Sequence, residues 1–431
     1  MKKALFFLSL MVFALIMVGC SSTGEESNGN GGTDDGGSSD ESVEVSIWAT
    51  NINVPVLEEA AAAYKEQNPN LTVNVEEMNN NDIRSKVTTG LQAGGQGLPD
   101  AALLVDDGVT GYVTNFPDQF VNVGEMGFSE FTSDFPEYKV NSVSYDGSVY
   151  AIPFDAGPVG VFYRTDLFEE AGVNAEDINT WDDYIEAGIK VKEATGANML
   201  SYDSNDSTVY TIFLSQQGLG YFSAEGESNM DTEASVNTAN AFKQMADADI
   251  LLGTPGWDAW VTSLSESQTA TAIAGGWLVG TLQQSVPDQA GNWGVMPLPQ
   301  FEGNDSRSAN QGGSSFTIFE SSENKQAVYD FLEFFATDFE TQELAMDGGL
   351  FPSYLPVYES ELFSEELEYF GNEPVWEFFA DQMTQIPSVL YTENDQIARD
   401  EAIKVQAEVV QGADPQEAVE GAQGRIENRL Q

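Results

Sequence analysis

A chain of 431 residues is long enough for two or three domains with sizeable cores. Sixteen Lys and Arg stand against 70 Asp and Glu, a formal charge of −54, which argues against nucleic-acid binding because phosphate recognition needs clustered cations. Histidine is absent and Cys20 is the single cysteine, which excludes His-containing zinc sites, Ser-His-Asp triads, Cys-His dyads and any intrachain disulfide.

At the start of the chain, Lys2 and Lys3 precede a mostly apolar run from Ala4 to Val18 that ends at Gly19 and Cys20. The run is too short and one-sided for a membrane span and reads as a signal peptide over residues 1–19. Residues 21–42 are only Ser, Thr, Gly, Asn, Asp and Glu. That composition buries nothing and predicts a disordered tether with a reach of roughly 25 Å. The acidity of the rest predicts a heavily solvated surface whose self-repulsion is tolerable where salt screens it, hence a saline surrounding.

Val43, Val45 and Ile47 alternate with polar residues and end at Trp48, a first strand. Pro55 suits the first turn of a helix that runs to about Gln67. Leu71, Val73 and Val75 predict a second strand; Ile83, Val87 and Leu91 step along a second helix; Ala101 to Val105 is an apolar run typical of a strand covered on both faces. This β-α-β-α-β order argues for a parallel sheet, and ligands of such sheets bind beyond the carboxyl ends of the strands. Trp48 to Asn51 and the pair Asp106-Asp107 fall there; the alternative for Asp107 is N-capping of the next helix.

Further on, Tyr150 to Tyr163 reads as two strand pieces broken by Pro153, Asp155, Gly157 and Pro158, a crossing between domains. Thr180 and Asp183 form a capping-box pair for a helix from Trp181 to about Ala194. A short strand follows at Met199 to Tyr202, then helices at about 208–217 and 233–248. The segment Thr254 to Ser263 carries Trp257 and Trp260, for which core packing is the alternative to a site. The chain is organised around the stretch from Ala270 to Pro299: a strand at Thr271 to Ala274, the pair Gly275-Gly276, then Trp277, a helix-like run and a second strand at Trp293 to Met296. A Trp behind two glycines at the end of a buried strand suits the lining of a cleft, and its flat apolar face suits a sugar ring. Gln311-Gly312-Gly313-Ser314 opens into a strand through Phe316 and Ile318. Val328, Phe331, Leu332 and Phe335 mark the packed face of a helix over 324–337. Helices are expected over 340–346, 362–370, 374–383, 395–411 and 415–430.

Several of these segments, taken in order, resemble one family: the Met17-Val18-Gly19-Cys20 lipobox, PNLTVNVEEM, GQGLPDAALLVDD, YAIPFDAGPVGVFYRTDLFEEAGV, TATAIAGGW and NWGVMPLPQFEG. Together they resemble the extracellular solute-binding proteins of ABC sugar importers, the maltose-binding-like group, over nearly all of residues 43–430. The resemblance implies an α/β fold of two lobes with the ligand in a cleft between them, one lobe from 43–152 plus 301–357 and the other from 153–300 plus 358–431. It implies that Cys20 carries lipid, that the protein sits lipid-anchored on the extracellular face of the cell membrane, and that a membrane permease is its partner. Asp107 matches a carboxylate that binds sugar hydroxyls, Trp277 a Trp that stacks on the sugar, and Trp48 to Asn51 a ligand-contacting loop. Leu104 stands where the maltose binder has an aromatic, Gly108 where it has an Arg, and Gly157 where it has a Glu, with Asp155 two residues away as a substitute.

The resulting expectation is a monomeric binding protein, not an enzyme, that captures a carbohydrate by hinge closure. Its ligand-binding residues are Trp48, Asn51, Asp106, Asp107, Asp155, Trp257, Trp277, Gly312 and Gly313, without a cofactor. No metal is assigned, since the loop with Asp203 and Asp206 fits no calcium motif. The alternatives are a binder of a cationic solute such as a polyamine or betaine, because Asp and Trp also suit a cation, a secreted glycoside hydrolase, and a structural lipoprotein. Arg84, Arg164, Arg307 and Arg399 are read as scattered surface ion pairs.

Overall fold

The computed structural model describes residues 42–50 and 53–431. The expected signal peptide, Cys20, the tether up to residue 41 and Asn51 lie outside the described residues.

In chain order the elements are β1 (Val43–Ala49), α1 (Asn53–Gln67), β2 (Leu71–Glu77), α2 (Asn80–Gln92), β3 (Ala101–Val105) and α3 (Asp106–Asn115). Then come α4 (Glu137–Ser142), a hairpin of β4 (Ser144–Tyr145) and β5 (Ser148–Val149), β6 (Ile152–Pro153) and β7 (Val159–Arg164). The middle holds α5 (Thr165–Ala171), α6 (Trp181–Thr195), β8 (Asn198–Asp203), α7 (Thr208–Gln216), α8 (Glu233–Asp247), β9 (Leu251–Thr254), α9 (Trp257–Ser265), β10 (Thr269–Gly275), α10 (Leu278–Ser285) and β11 (Trp293–Met296). The chain ends with β12 (Ser314–Ile318), α11 (Lys325–Thr337), α12 (Phe339–Asp347), α13 (Val375–Met383), α14 (Asp395–Val410) and α15 (Pro415–Leu430).

Two five-stranded sheets result, one in the order β2-β1-β3-β12-β6 and one in the order β11-β7-β10-β8-β9. The first begins parallel, as its β-α-β-α-β start requires. It ends mixed, because β12 runs antiparallel to both β3 and β6. A strand that arrives from the other lobe enters the sheet from the opposite end, so its direction is reversed. The second sheet is mixed too, with β7 antiparallel to β10 and β11, and β8 parallel to β10 and β9. Each sheet has its own core. Phe331, Leu332 and Phe335 of α11 close the first, as their spacing predicts; Tyr184, Phe213 and Phe242 from α6, α7 and α8 lie in the second. The capping box of α6 forms in full, with the Asp183 N–H donating to the Thr180 hydroxyl at 3.1 Å and the Thr180 N–H donating to the Asp183 carboxylate at 2.9 Å. Residues 362–370 do not form the single helix expected of them. Two 3-10 turns stand there, Glu361–Ser364 and Glu368–Phe370, where Glu365, Glu366 and Glu368 would crowd like charges on one continuous helix.

Two stretches that pass between the sheets, 154–158 and 309–314, are strapped to each other and to 351–353. The Gln311 N–H donates to the Gly157 carbonyl at 2.8 Å, the Val159 N–H to Ala309, the Ala156 N–H to Phe351, and the Ser353 N–H to Phe154. A Cβ on residue 157 would stand 1.9 Å from the Gln311 carbonyl oxygen, so only glycine permits the approach. The same contact explains why no acid side chain stands at 157. Phe301 packs on Trp181 with ring centroids 5.6 Å apart, and Ala309 also lies in the second core. The return crossing therefore comes after 309 rather than at 301. Among the described residues no helix is long and apolar enough to cross a membrane.

Candidate functional site

A cleft runs beyond the carboxyl ends of β1 and β3 on one side and of β8 on the other. Thr50 follows β1, the Asp106-Asp107 pair follows β3, and Asn205, Asp206 and Ser207 link β8 to α7. Two hollows that share Val105 make up most of it. The first, 670 Å³, is lined mainly by the first lobe, including Thr50, Asn53, Glu77, Asn79 and Asp155. The second, 490 Å³, lies between the lobes and is lined by Asp107, Asp206, Trp277, Gln311, Gln396 and Arg399 among others. Gly312 lines the second hollow and Gly313 the first; both have positive φ, +86° and +85°. A Cβ on residue 313 would press to 3.1 Å from both Asp106 Oδ2 and the Asp155 carbonyl oxygen.

The two adjacent aspartates have different surroundings. Asp106 is sealed. Its Oδ1 accepts from the Ser315 hydroxyl at 2.6 Å, and its Oδ2 accepts from Lys139 Nζ at 2.6 Å, with both side chains almost fully buried. Lys139 also donates to the carbonyls of Asp155 at 2.6 Å and Ser314 at 2.8 Å. Burial raises the Asp106 carboxyl to about 6, against the pull of Lys139. Asp106 is therefore a strut at the base of the crossings, which corrects the expectation that it contacts ligand. Asp155 is intermediate between the two. Its Oδ1 accepts from the backbone N–H of Ser314, at 2.6 Å, and from its hydroxyl, while the residue lines the first hollow; burial raises its carboxyl above the ordinary range.

Asp107 faces the cleft, in the first turn of α3. Its Oδ1 accepts from Arg84 of α2 at 3.0 Å and its Oδ2 from Arg399 of α14 at 2.6 Å. No side-chain cap bond forms at the start of α3, so the capping alternative does not hold. Asp107 belongs to the first lobe and Arg399 packs with the second, so this pair spans the cleft. Burial lowers the affinity of the Arg399 guanidinium for its proton, but Asp107 outweighs it and holds the group protonated more firmly than usual. Neither Arg84 nor Arg399 is the isolated surface ion pair that its place in the sequence suggested. With so few cations in the chain, two of them on one carboxylate mark a built feature. Lys139, buried in a six-residue helix, carries no sequence signal that distinguishes it from a surface lysine.

Trp277 lines the interlobe hollow, and its indole N–H donates to the Gln311 carbonyl at 3.3 Å, so its ring rather than its N–H is left for a ligand. The glycine pair ahead of it has the predicted use, for a Cβ at 275 would stand 2.7 Å from that indole nitrogen. Trp257 packs beside it, its ring tilted by 41° with centroids 5.8 Å apart, and is 50% exposed. Trp260 behind them is buried and donates to the Ser201 carbonyl, the core role. With Tyr202 and Asp206 these rings line a further hollow of 150 Å³. Trp48 is a correction. It is part of β1 rather than of the loop after it, lies buried in the first core, and donates its N–H to Glu76 at 3.1 Å. Asp203 accepts from the backbone N–H groups of Asn205 and Gly256, and Asp206 from that of Thr208; both are turn-forming acids. Burial raises the Asp206 carboxyl. Among the described residues no group of three or more acids and sulfur or imidazole ligands stands ready to hold a metal ion.

Comparison with known proteins agrees with this geometry. The family model described as bacterial extracellular solute-binding protein matches residues 59–370. A lactose-binding protein of Rhizobium radiobacter is 34% identical over 357 residues, 81% of this chain and 84% of that protein. An arabinooligosaccharide-binding protein of Halalkalibacterium halodurans is 25% identical over 397 residues, 88% of this chain and 87% of that one. Among solved structures, an ABC transporter-associated binding protein of Bifidobacterium animalis subsp. lactis, in complex with β-1,6-galactobiose, aligns with a TM-score of 0.72 and 25% identity over 90% of this chain and 98% of that one. The two-lobed α/β fold is shared with these solute-binding proteins.

Proposed function

The chain belongs to the bacterial extracellular solute-binding protein family, and from that premise we propose that it is the capture component of an ABC importer for an oligosaccharide. It is a binding protein, not an enzyme. One observation carries the sugar reading: the interlobe hollow presents the ring of Trp277 beside a carboxylate, Asp107, that is oriented by guanidiniums from both sides. A ring face covers the C–H groups of a sugar, and a carboxylate with remaining lone pairs accepts its hydroxyls. Asn205, Ser207, Gln311 and Gln396 add amides and hydroxyls that donate and accept. The names of the relatives, which bind lactose, arabinooligosaccharide and galactobiose, point the same way.

A ligand held between the lobes binds the closed state better than the open one, so capture and closure are one event. The straps around Gly157 and Gln311 are the hinge of this motion. Trp257, Trp277, Asp107, Asp155, Gly312 and Gly313 are the contact candidates. A cationic solute fits less well, since the acid at the centre of the hollow is already paired with two cations. Cys20 would carry the lipid that holds the protein to the outer face of the membrane, with the tether giving reach to the permease. Calorimetry of the purified protein against lactose, galacto- and arabinooligosaccharides, spermidine and glycine betaine tests the reading. Heat from a sugar alone, with a change in tryptophan fluorescence, is expected; heat from an amine alone overturns it.

A further inference from the structure

The turn into α3 and the two crossings meet at one ammonium. Lys139 Nζ donates to Asp106 Oδ2 at 2.6 Å, to the Asp155 carbonyl at 2.6 Å and to the Ser314 carbonyl at 2.8 Å, which uses every N–H of the group. Each acceptor belongs to a cleft residue or stands next to one. Asp107 follows Asp106, Asp155 itself lines the first hollow, and Gly312 and Gly313 lead into Ser314. The same stretches are tied to one another, since the Asp106 N–H donates to the Gly313 carbonyl at 3.2 Å and the Ser314 N–H to Asp155 Oδ1 at 2.6 Å. Tyr138, the residue before Lys139 on α4, donates its hydroxyl to Asn310 Oδ1 at 3.4 Å. That amide in turn accepts from the Gly157 N–H at 3.1 Å and donates to the Gly312 carbonyl at 2.8 Å. Neither Tyr138 nor Lys139 lines either hollow.

We propose that Lys139 is a positioning residue of the binding site. Without touching ligand, it fixes the first-lobe ends of both crossings and the turn into α3, and so holds Asp107, Asp155 and the Gly312-Gly313 pair in the arrangement that a ligand meets. The proposal rests on the carbohydrate reading of the cleft. Its physical basis is the cost of ordering glycine. Gly312 and Gly313 lie in the left-handed region, at φ +86° and +85°, and glycine gives up more backbone freedom on ordering than any other residue. Two in succession keep one conformation only while their neighbours are held. With the ammonium gone, the pair and the turn beside it sample other conformations. A site competent for only part of the time binds more weakly by that fraction.

Three proteins test this against a purely structural role: Lys139→Met, the charge-balanced combination of Lys139→Met with Asp106→Asn, and Leu332→Ala. The last truncates a fully buried side chain of α11 in the first core. It lowers the unfolding midpoint without reaching the cleft. The combination leaves no unpaired buried charge, so it remains usable if Lys139→Met alone does not fold. Calorimetry with the sugar that the wild type binds should show affinity about tenfold weaker or more in both Lys139 variants, the result of a competent fraction of about one-tenth. Leu332→Ala should stay within about twofold of wild type. Hydrogen exchange of the ligand-free proteins should be faster at the N–H groups of Asp106, Gln311 and Ser314 in both Lys139 variants and unchanged there in Leu332→Ala. Wild-type affinity in the charge-balanced combination, or an equal loss in Leu332→Ala, overturns the positioning role and leaves the sugar reading standing. If the wild type binds none of the sugars, the sugar reading falls, and exchange at those amides decides the positioning role by itself.

Discussion

Two charge clusters begin one residue apart and behave as opposites. At the base of the crossings, Lys139 and Asp106 are 0% and 3% exposed, and the lysine is tied to backbone carbonyls of both crossing segments. At the mouth of the cleft, Arg84, Asp107 and Arg399 are 37%, 17% and 22% exposed and meet through side chains alone. The first cluster lies beside backbone whose two crossing segments are hydrogen-bonded to each other. The second contains a pair that exists only while α3 and α14 are close. Adjacent identical residues thus divide into a buried strut and a cleft-facing ion pair, and the orientation of the first turn of α3 decides which is which.

Lys139→Met breaks the first cluster and should have the largest effect. It leaves the Asp106 carboxylate buried without its cation and the Asp155 carbonyl without a donor, at a cost of about 3–5 kcal/mol. Urea unfolding should show it, and adding Asp106→Asn should recover part of the loss, since the unpaired charge goes with it. If Lys139→Met unfolds at the wild-type midpoint, the strut is dispensable.

A pH series sharpens the comparison at the second cluster. Asp395, next to Arg399, is raised to about 6 by burial, from an ordinary 3.8. A folded value above the unfolded one means that the folded state holds the proton more tightly. The stability this group contributes is therefore complete below about pH 3.8 and lost as pH rises through about 6. Asp395→Asn carries no charge to bury. Its stability relative to wild type should climb between pH 4 and 7 by about 2–3 kcal/mol. Unfolding curves that run parallel across that range would contradict this.

Smaller effects are expected from Asp107→Asn and Arg399→Gln, and on binding rather than on folding. Each removes the interlobe pair, so closure should lose about 1–2 kcal/mol, a five- to thirty-fold weaker apparent affinity for a sugar. Midpoints of unfolding without ligand should move little. Combined in one protein, the two changes should cost less than their sum, because they remove the same contact; full additivity would mean that each residue acts on the ligand separately.

Much of this was legible in the sequence, and its failures have physical causes. Element order, the capping box at Thr180, the strand at Trp293 and the glycines before Trp277 were readable because each depends on neighbours in the chain. Charge partners were not. Arg399 lies 292 positions from Asp107 in the sequence (399 − 107) and Lys139 lies 33 from Asp106, and nothing local tells a cation bound for the interior from one bound for solvent. The helix at Trp257 and the strand at Leu251 were missed because both are short, nine and four residues. Trp48 failed by a shift of one element boundary: the strand runs on to Ala49, which carries the indole into the first core.

The smallest effect should come from Trp257, and it separates packing from recognition. Half of its surface is exposed, it touches Trp260 and Trp277 at 5.3 and 5.8 Å between centroids, and the described residues give its N–H no partner. A buried indole would leave a cavity on truncation; this one leaves solvent. Trp257→Ala should therefore shift stability by no more than about 0.5 kcal/mol, while sugar affinity falls by about 0.5–1.5 kcal/mol if the ring extends the platform of Trp277. Near-equal losses in unfolding and in binding would make Trp257 a support for its neighbour. Loss in binding alone would make it part of the surface on which the sugar lies.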